Sequence, residues 1–314
     1  MKQKGKTLLL LAGLATAAIH VINKVEYTLA CTKNMLSCPD NHYYEWRFGK
    51  IRYIKKGQGT PILLLHNLTV GSSSYEFHKI MESLSKKNEV YAMDFLGYGL
   101  SDKPYLTFTN YLYVQLITDF VKNVIGKRTD VIASGDSCPV TVMTCHNNPE
   151  VFGKLVLINP QDLYELNQIP SRQTRLLKLL IDTPILGTFI YNMLTSKEAF
   201  KKTFQDTYYF NPGYIEESEI LAYFEAAHIY DYHSKHAFSS CLGRYLNMNI
   251  LHALKEINHS ILIISGEEKK NSHTITDNYI YYNNAMEAVY IKETKQLPHL
   301  EKSDKFMEQL EIFL

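Results

Sequence analysis

Val131-Ile132-Ala133 runs into Gly135-Asp136-Ser137-Cys138-Pro139, and a helical pattern follows. This reads as a short apolar strand, a sharp turn carrying a serine, and then a helix. A serine hydroxyl is a weak nucleophile. Acyl transfer at Ser137 would need a base to take its proton, a group to orient that base, and N–H donors for the oxyanion. Cys138 stands beside it, but no base flanks the thiol, so an inert cysteine is expected. His228, His233 and His236 lie close together later in the chain. No carboxylate or cysteine spacing supports them as ligands, so they read as solvated surface histidines. The five cysteines form no C-x-x-C pair. No metal and no cofactor is expected.

The elements that must position Ser137 alternate along the chain. His42 to Phe48 and Lys50 to Ile54 read as a hairpin around Gly49. Pro61 to Leu65 is a continuous apolar strand of the buried type. Ser73 with Glu76 makes a capping-box pattern ahead of a helical face of Phe77, Ile80, Met81 and Leu84. Further strands are read at Glu89–Met93, Leu155–Ile158, Ile261–Ile264 and Ala288–Ile291, and helices at Asn110–Val124 and from Ser303 onward. The alternation predicts an α/β protein with a mostly parallel sheet covered by helices on both faces. From residue 161 to 251 the strand rhythm stops. That segment is helical and aromatic, punctuated by Pro170, Pro184 and Pro212.

Four motifs in order resemble the α/β-hydrolases that carry a helical cap: His66-Asn67, the run Asp94 to Asp102, the turn at Ser137, and Leu297-Pro298-His299-Leu300-Glu301. The turn is similar to that family's nucleophile elbow, G-x-S-x-G, with Pro139 in place of the second glycine. The resemblance implies a core of 43–160 and 252–314, a helical cap of 161–251, and a segment 1–36 in front. It places Ser137 as nucleophile, with the backbone N–H groups of Leu68 and Cys138 as oxyanion donors. At the position of the family's catalytic histidine stands Gln296, which cannot act as a general base. At the usual acid position stands Lys269, with Glu267, Glu268 or Asp162 as substitutes. His299 is the alternative base. Two functions stay open. One is a serine hydrolase acting on an ester or similar small apolar substrate. The other is a non-catalytic relative that binds a small ligand or a partner in the capped pocket, with cap aromatics implying an apolar one.

The amino terminus is separate. Lys2, Lys4 and Lys6 precede an apolar run from Thr7 to Ile22, near the short limit for spanning a bilayer. It reads as a single-pass membrane anchor with the domain outside the cytoplasm. Ala15-Thr16-Ala17 keeps cleavage and secretion open as an alternative, and a buried helix is the third. The net charge of +1 argues against a nucleic-acid partner.

Overall fold

The computed structural model describes the backbone of residues 2–230 and 233–314, and the side chains of those residues except 2–12, 14 and 15. Helix α1 (Lys2–Ala30) leads into a hairpin of β1 (Asn41–Trp46) and β2 (Gly49–Lys56). The core continues through β3 (Thr60–Leu65), α2 (His78–Ser85), β4 (Asn88–Met93), α3 (Asn110–Phe120), β5 (Thr129–Ser134), α4 (Ser137–Asn147) and β6 (Phe152–Ile158).

Seven helices are then inserted: α5 (Leu163–Leu166), α6 (Arg172–Asp182), α7 (Leu186–Leu194), α8 (Lys197–Thr203), α9 (Glu217–His228), α10 (Lys235–Leu242) and α11 (Leu251–Glu256). The core closes with β7 (Ile261–Gly266), α12 (Ser272–Tyr282), β8 (Met286–Ile291), α13 (Pro298–Glu301) and α14 (Ser303–Phe313).

The eight strands form one sheet in the order β1-β2-β4-β3-β5-β6-β7-β8. β1 and β2 are antiparallel, β2 meets β4 antiparallel, and all other pairs are parallel. Strand periodicity divides the apolar runs between two cores. Leu63 and Leu65 point to the face covered by α3, α4, α11 and α12, while Ile62 and Leu64 point to the face covered by α2 and α14. Both faces are therefore dry, which is why β3 is apolar at every position from Pro61 onward.

The carboxyl ends of β3, β5, β6 and β7 lie side by side, and each is followed by a loop at the same edge. That edge receives His66-Asn67, Gly135-Asp136, Asn159-Pro160 and Glu267 to Lys269. The capping-box expectation holds only in part. Ser73 caps the turn Ser74–Phe77 through Tyr75 N–H, but Glu76 does not reach back. Its carboxylate accepts the Asn67 N–H instead (3.0 Å).

Candidate active site

The turn between β5 and α4 is the centre of the site. Gly135 is its pivot, held at φ +54. Asp136 follows at the helix start, and Ser137 opens the first turn of α4. A Cβ placed on Gly135 would lie 2.5 Å from Asn67 Oδ1, so the pivot faces the loop after β3. The Asn67 amide occupies that space, and its Oδ1 accepts the Asp136 N–H (2.9 Å).

Ser137 is not where the sequence predicts it. It is fully buried. Its O–H is shared between the carbonyls of Ser134 (2.8 Å) and Leu65 (3.0 Å), and its oxygen accepts the Ser134 N–H (3.0 Å). The hydroxyl thus ties the end of β5 to the end of β3 beneath the turn. A two-residue shift explains the difference. The pivot of a strand-to-helix elbow needs a strained positive φ, and in this turn Gly135 has it, not Ser137. Cys138 is displaced in the same sense. Its N–H is committed to Gly135 O (3.1 Å), and its thiol is buried and pushed up beyond the ordinary range by that burial. Leu68 is fully buried, and its carbonyl accepts the Tyr98 hydroxyl (2.8 Å).

Gln296 and Lys269 do meet the turn. Both line a cleft of about 300 Å³ together with Gly135, Asp136, Asn159 and Asp162. Asn159 clasps the loops that bring them there. Its Nδ2 donates to the carbonyls of Lys295 and Gln296 (2.9 Å each), and its Oδ1 accepts Gly266 N–H (3.1 Å). Lys269 Nζ donates to Asn159 O (3.0 Å) and Pro160 O (3.3 Å). Burial pushes the Asp136 carboxyl up to about 6, against the pull of the Lys269 charge. Burial likewise pulls the Lys269 ammonium down to about 8, opposed by the Cys138, Asp136, Glu165 and Asp162 groups around it.

His299 lies elsewhere. It is fully buried, with Nε2 3.3 Å from Glu76 Oε1, its ring between Phe77 and Phe306. The His299–Glu76 pair supports the Asn67 loop from below and does not line the cleft. His66 and Asp94 are also structural. His66 Nε2 accepts the Phe95 N–H (3.0 Å). Asp94 accepts Ser74 N–H (2.7 Å) and Leu100 N–H (2.8 Å) and pairs with the buried Arg52 (3.4 Å). Burial would raise its pKa, but Arg52, His66 and those N–H groups together hold it below the usual range.

Two expectations about the cap are corrected. Among the described residues, its aromatics do not line the cleft at the turn. Phe204, Tyr208, Tyr209 and Tyr223 pack into a cluster of their own, because the cap has closed onto the loop after β3. A Cβ on Gly71 would lie 2.7 Å from the Phe200 ring, and the Gln296 N–H donates to Tyr208 O (3.1 Å). The cleft left at the turn is polar. His228 and His236, expected at the surface, are buried; His236 Nδ1 meets Asp182 (2.9 Å) and His228 Nδ1 meets Phe224 O (2.8 Å). A separate trio, His146, His252 and Glu256, places one ligand atom from each residue within 4.8 Å of the others on the outer end of α4 and α11.

No protein-family model matches the chain. A 2-hydroxy-6-oxo-6-(2'-aminophenyl)hexa-2,4-dienoic acid hydrolase of Metapseudomonas resinovorans is 31% identical over 116 residues, covering 36% of this chain and 39% of that protein. An uncharacterized protein of Mycobacterium tuberculosis is 25% identical over 103 residues, 33% of this chain and 30% of its own. The chain thus matches well under half the length of these relatives. Among solved structures, a serine hydrolase involved in carbazole degradation superposes with TM-score 0.69 at 15% identity, over 87% of this chain and 97% of that one. The chain has the α/β-hydrolase fold. An epoxide hydrolase with the same arrangement gives TM-score 0.71 at 16% identity, again over 87% and 97%. A membrane phospholipase A, described as a bacterial virulence factor, gives TM-score 0.69 at 16% identity over 100% of this chain and 98% of that one. The α/β-hydrolase fold is therefore common to all three, and in the last of them the likeness covers the whole chain, α1 included.

Sequence reasoning missed Asn67, Asp136 and Asn159. The available signal was the small-residue rhythm Ala133, Gly135, Ser137, which centres the turn on the glycine. Half of the apolar run Thr7–Ile22, residues 7–12, 14 and 15, has side chains that lie outside the described residues. Among the described residues no single helix is long and apolar enough to cross a membrane.

Proposed function

We propose that this is a membrane-anchored protein of α/β-hydrolase fold that binds a small polar ligand at the elbow and does not hydrolyse esters. One observation carries the reading: the pivot of the elbow is Gly135, and the Asn67 amide fills the space where a nucleophile would project. An elbow presents its nucleophile on the strained pivot and an oxyanion donor on the next residue. Here the pivot has no side chain, and the next N–H, that of Asp136, is already bound to Asn67. The remaining partners are absent in kind. Gln296 cannot accept a proton, and Lys269 would repel an imidazolium rather than orient one. What the cleft offers is recognition: the Asp136 and Lys269 charges, the Gln296 amide, and a volume of about 300 Å³ suited to a small molecule.

Anchoring by α1 is supported by the apolar run behind three lysines and by a likeness to a membrane phospholipase A that extends through that helix. The lysines favour a cytoplasmic amino terminus and an external domain.

A fluorophosphonate probe tests the first part. Wild-type protein stays unlabelled and turns over simple acyl esters no faster than Ser137→Ala does. Ester turnover that Ser137→Ala abolishes would overturn the reading. Sedimentation tests the second: full-length protein pellets with membranes and resists alkaline carbonate, and recovery of a mature chain starting at Ala18 would show a cleaved signal instead.

A further inference from the structure

Exposed aliphatic side chains are concentrated on one part of the cap. Among the described residues, 12 of the 14 large exposed aliphatic or methionine side chains belong to α1, α6, α7 or the corner between the last two. On α1, Val21, Val25 and Leu29 recur every four residues and form one stripe, 49–60% exposed. On α6 the exposed residues include Leu176, Leu179 and Leu180, and on α7 they include Leu186, Met193 and Leu194. These helices are neighbours: α7 packs against both α6 and α1. Ile185, at the corner, is exposed at φ +57, a conformation that a β-branched residue rarely adopts. Scattered exposed leucines are ordinary, but their concentration on helices that are packed neighbours marks an interaction surface.

We propose that this face of the cap lies in the interface of a lipid bilayer, docked beside the α1 anchor. The inference rests on the anchor reading for α1. Three observations choose a bilayer as the occupant. The stripe on α1 continues from the apolar run at Thr7–Ile22, so the patch begins where the anchor would leave the membrane. α6 and α7 together are apolar enough for a membrane span, yet they meet at 100°. Their inner side is fastened to α10: Asp182 accepts from Ser239 (2.6 Å) and meets His236 (2.9 Å), and Lys235 donates to Thr188 (2.9 Å). Helices so fixed can lie in the interface but cannot cross. Arg172 and Arg175 form no ion pair among the described residues and sit one and two turns from exposed leucines, the pattern of an interfacial helix facing anionic headgroups.

Depth-dependent quenching tests this on the full chain in vesicles of phosphatidylcholine and phosphatidylglycerol. Tryptophan is placed at Leu179→Trp, Met193→Trp, or Ile312→Trp on α14, against the background of the single native Trp46. Lipids doxylated in the upper acyl chain quench the first two and leave the third unchanged. The added double change Leu176→Asp with Leu180→Asp removes the quenching at Met193→Trp while the circular dichroism spectrum is retained. Co-sedimentation without quenching at either cap position overturns docking and leaves the anchor. Quenching in protein that alkaline carbonate extracts overturns the anchor and leaves docking. Protection of Leu179→Trp by self-association in detergent, with no quenching in vesicles, assigns the face to a second copy and overturns the proposal.

Discussion

Replacing Gly135 by alanine probes the feature on which the reading of the site depends. The residue stands at φ +54, where an L side chain costs about 1–2 kcal/mol. A Cβ there would fall 2.5 Å from Asn67 Oδ1 and 2.6 Å from its Cγ, closer than atoms approach without moving. The amide is the end of a flexible side chain, so it swings away and forfeits its hydrogen bond to Asp136 N–H. That loss adds about 0.5–1.5 kcal/mol. Gly135→Ala should therefore lower the unfolding free energy by roughly 1.5–3.5 kcal/mol, read from denaturant titration in mild detergent. Asn67→Gly vacates the same space. In that background Gly135→Ala retains only the backbone cost, so the double-mutant cycle shows a coupling of about 1 kcal/mol. A single variant within about 0.5 kcal/mol of wild type would refute the closed turn, because neither the strain nor the contact would then be present.

Other outcomes follow from the same geometry. Ser137→Ala strands the buried Ser134 N–H and loses the tie to Leu65, so it should destabilise by about 1–3 kcal/mol while leaving probe labelling unchanged. Asp136 titrates at about 6 in the fold against an ordinary 3.8, so between those values the folded chain holds a proton that the unfolded chain has released. Its stabilising contribution is complete below pH 3.8 and is lost as pH rises through 6. Asp136→Asn should thus match wild type near pH 4 and exceed it at pH 7 by up to about 3 kcal/mol, measured by unfolding across that range. Arg52→Met strands the buried Asp94 carboxylate and should cost about 3–5 kcal/mol, with Arg52→Lys recovering part of it.

Most of the architecture could be read from the chain itself. Strand β3 is apolar through consecutive positions because both of its faces are covered, and a run of that kind is visible without coordinates. The hairpin around Gly49, helix α3 within the expected Asn110–Val124 and the helical insertion after β6 carry equally local signals, since turn chemistry and periodicity act over a few residues. Gln296 and Lys269 could also be located, because each sits at a fixed offset from a recognisable strand or proline.

What the chain alone could not decide is which residue of Ser134-Gly135-Asp136-Ser137 is the pivot. Both Gly135 and Ser137 suit a tight turn, and the choice depends on where β5 ends, which is set by pairing with β3 and β6. A two-residue difference there exchanges a hydroxyl facing the cleft for one buried between strands. The roles of Asn67, Glu76 and Asn159 were equally hidden, since each meets groups distant in sequence: Asn67 bonds to Asp136, Glu76 lies against His299, and Asn159 bonds to Gln296. Local pattern fixes which elements form, because propensity and burial period are properties of neighbours along the chain. Side-chain hydrogen bonds across the sheet edge depend on register and packing between elements, and only the tertiary structure supplies those.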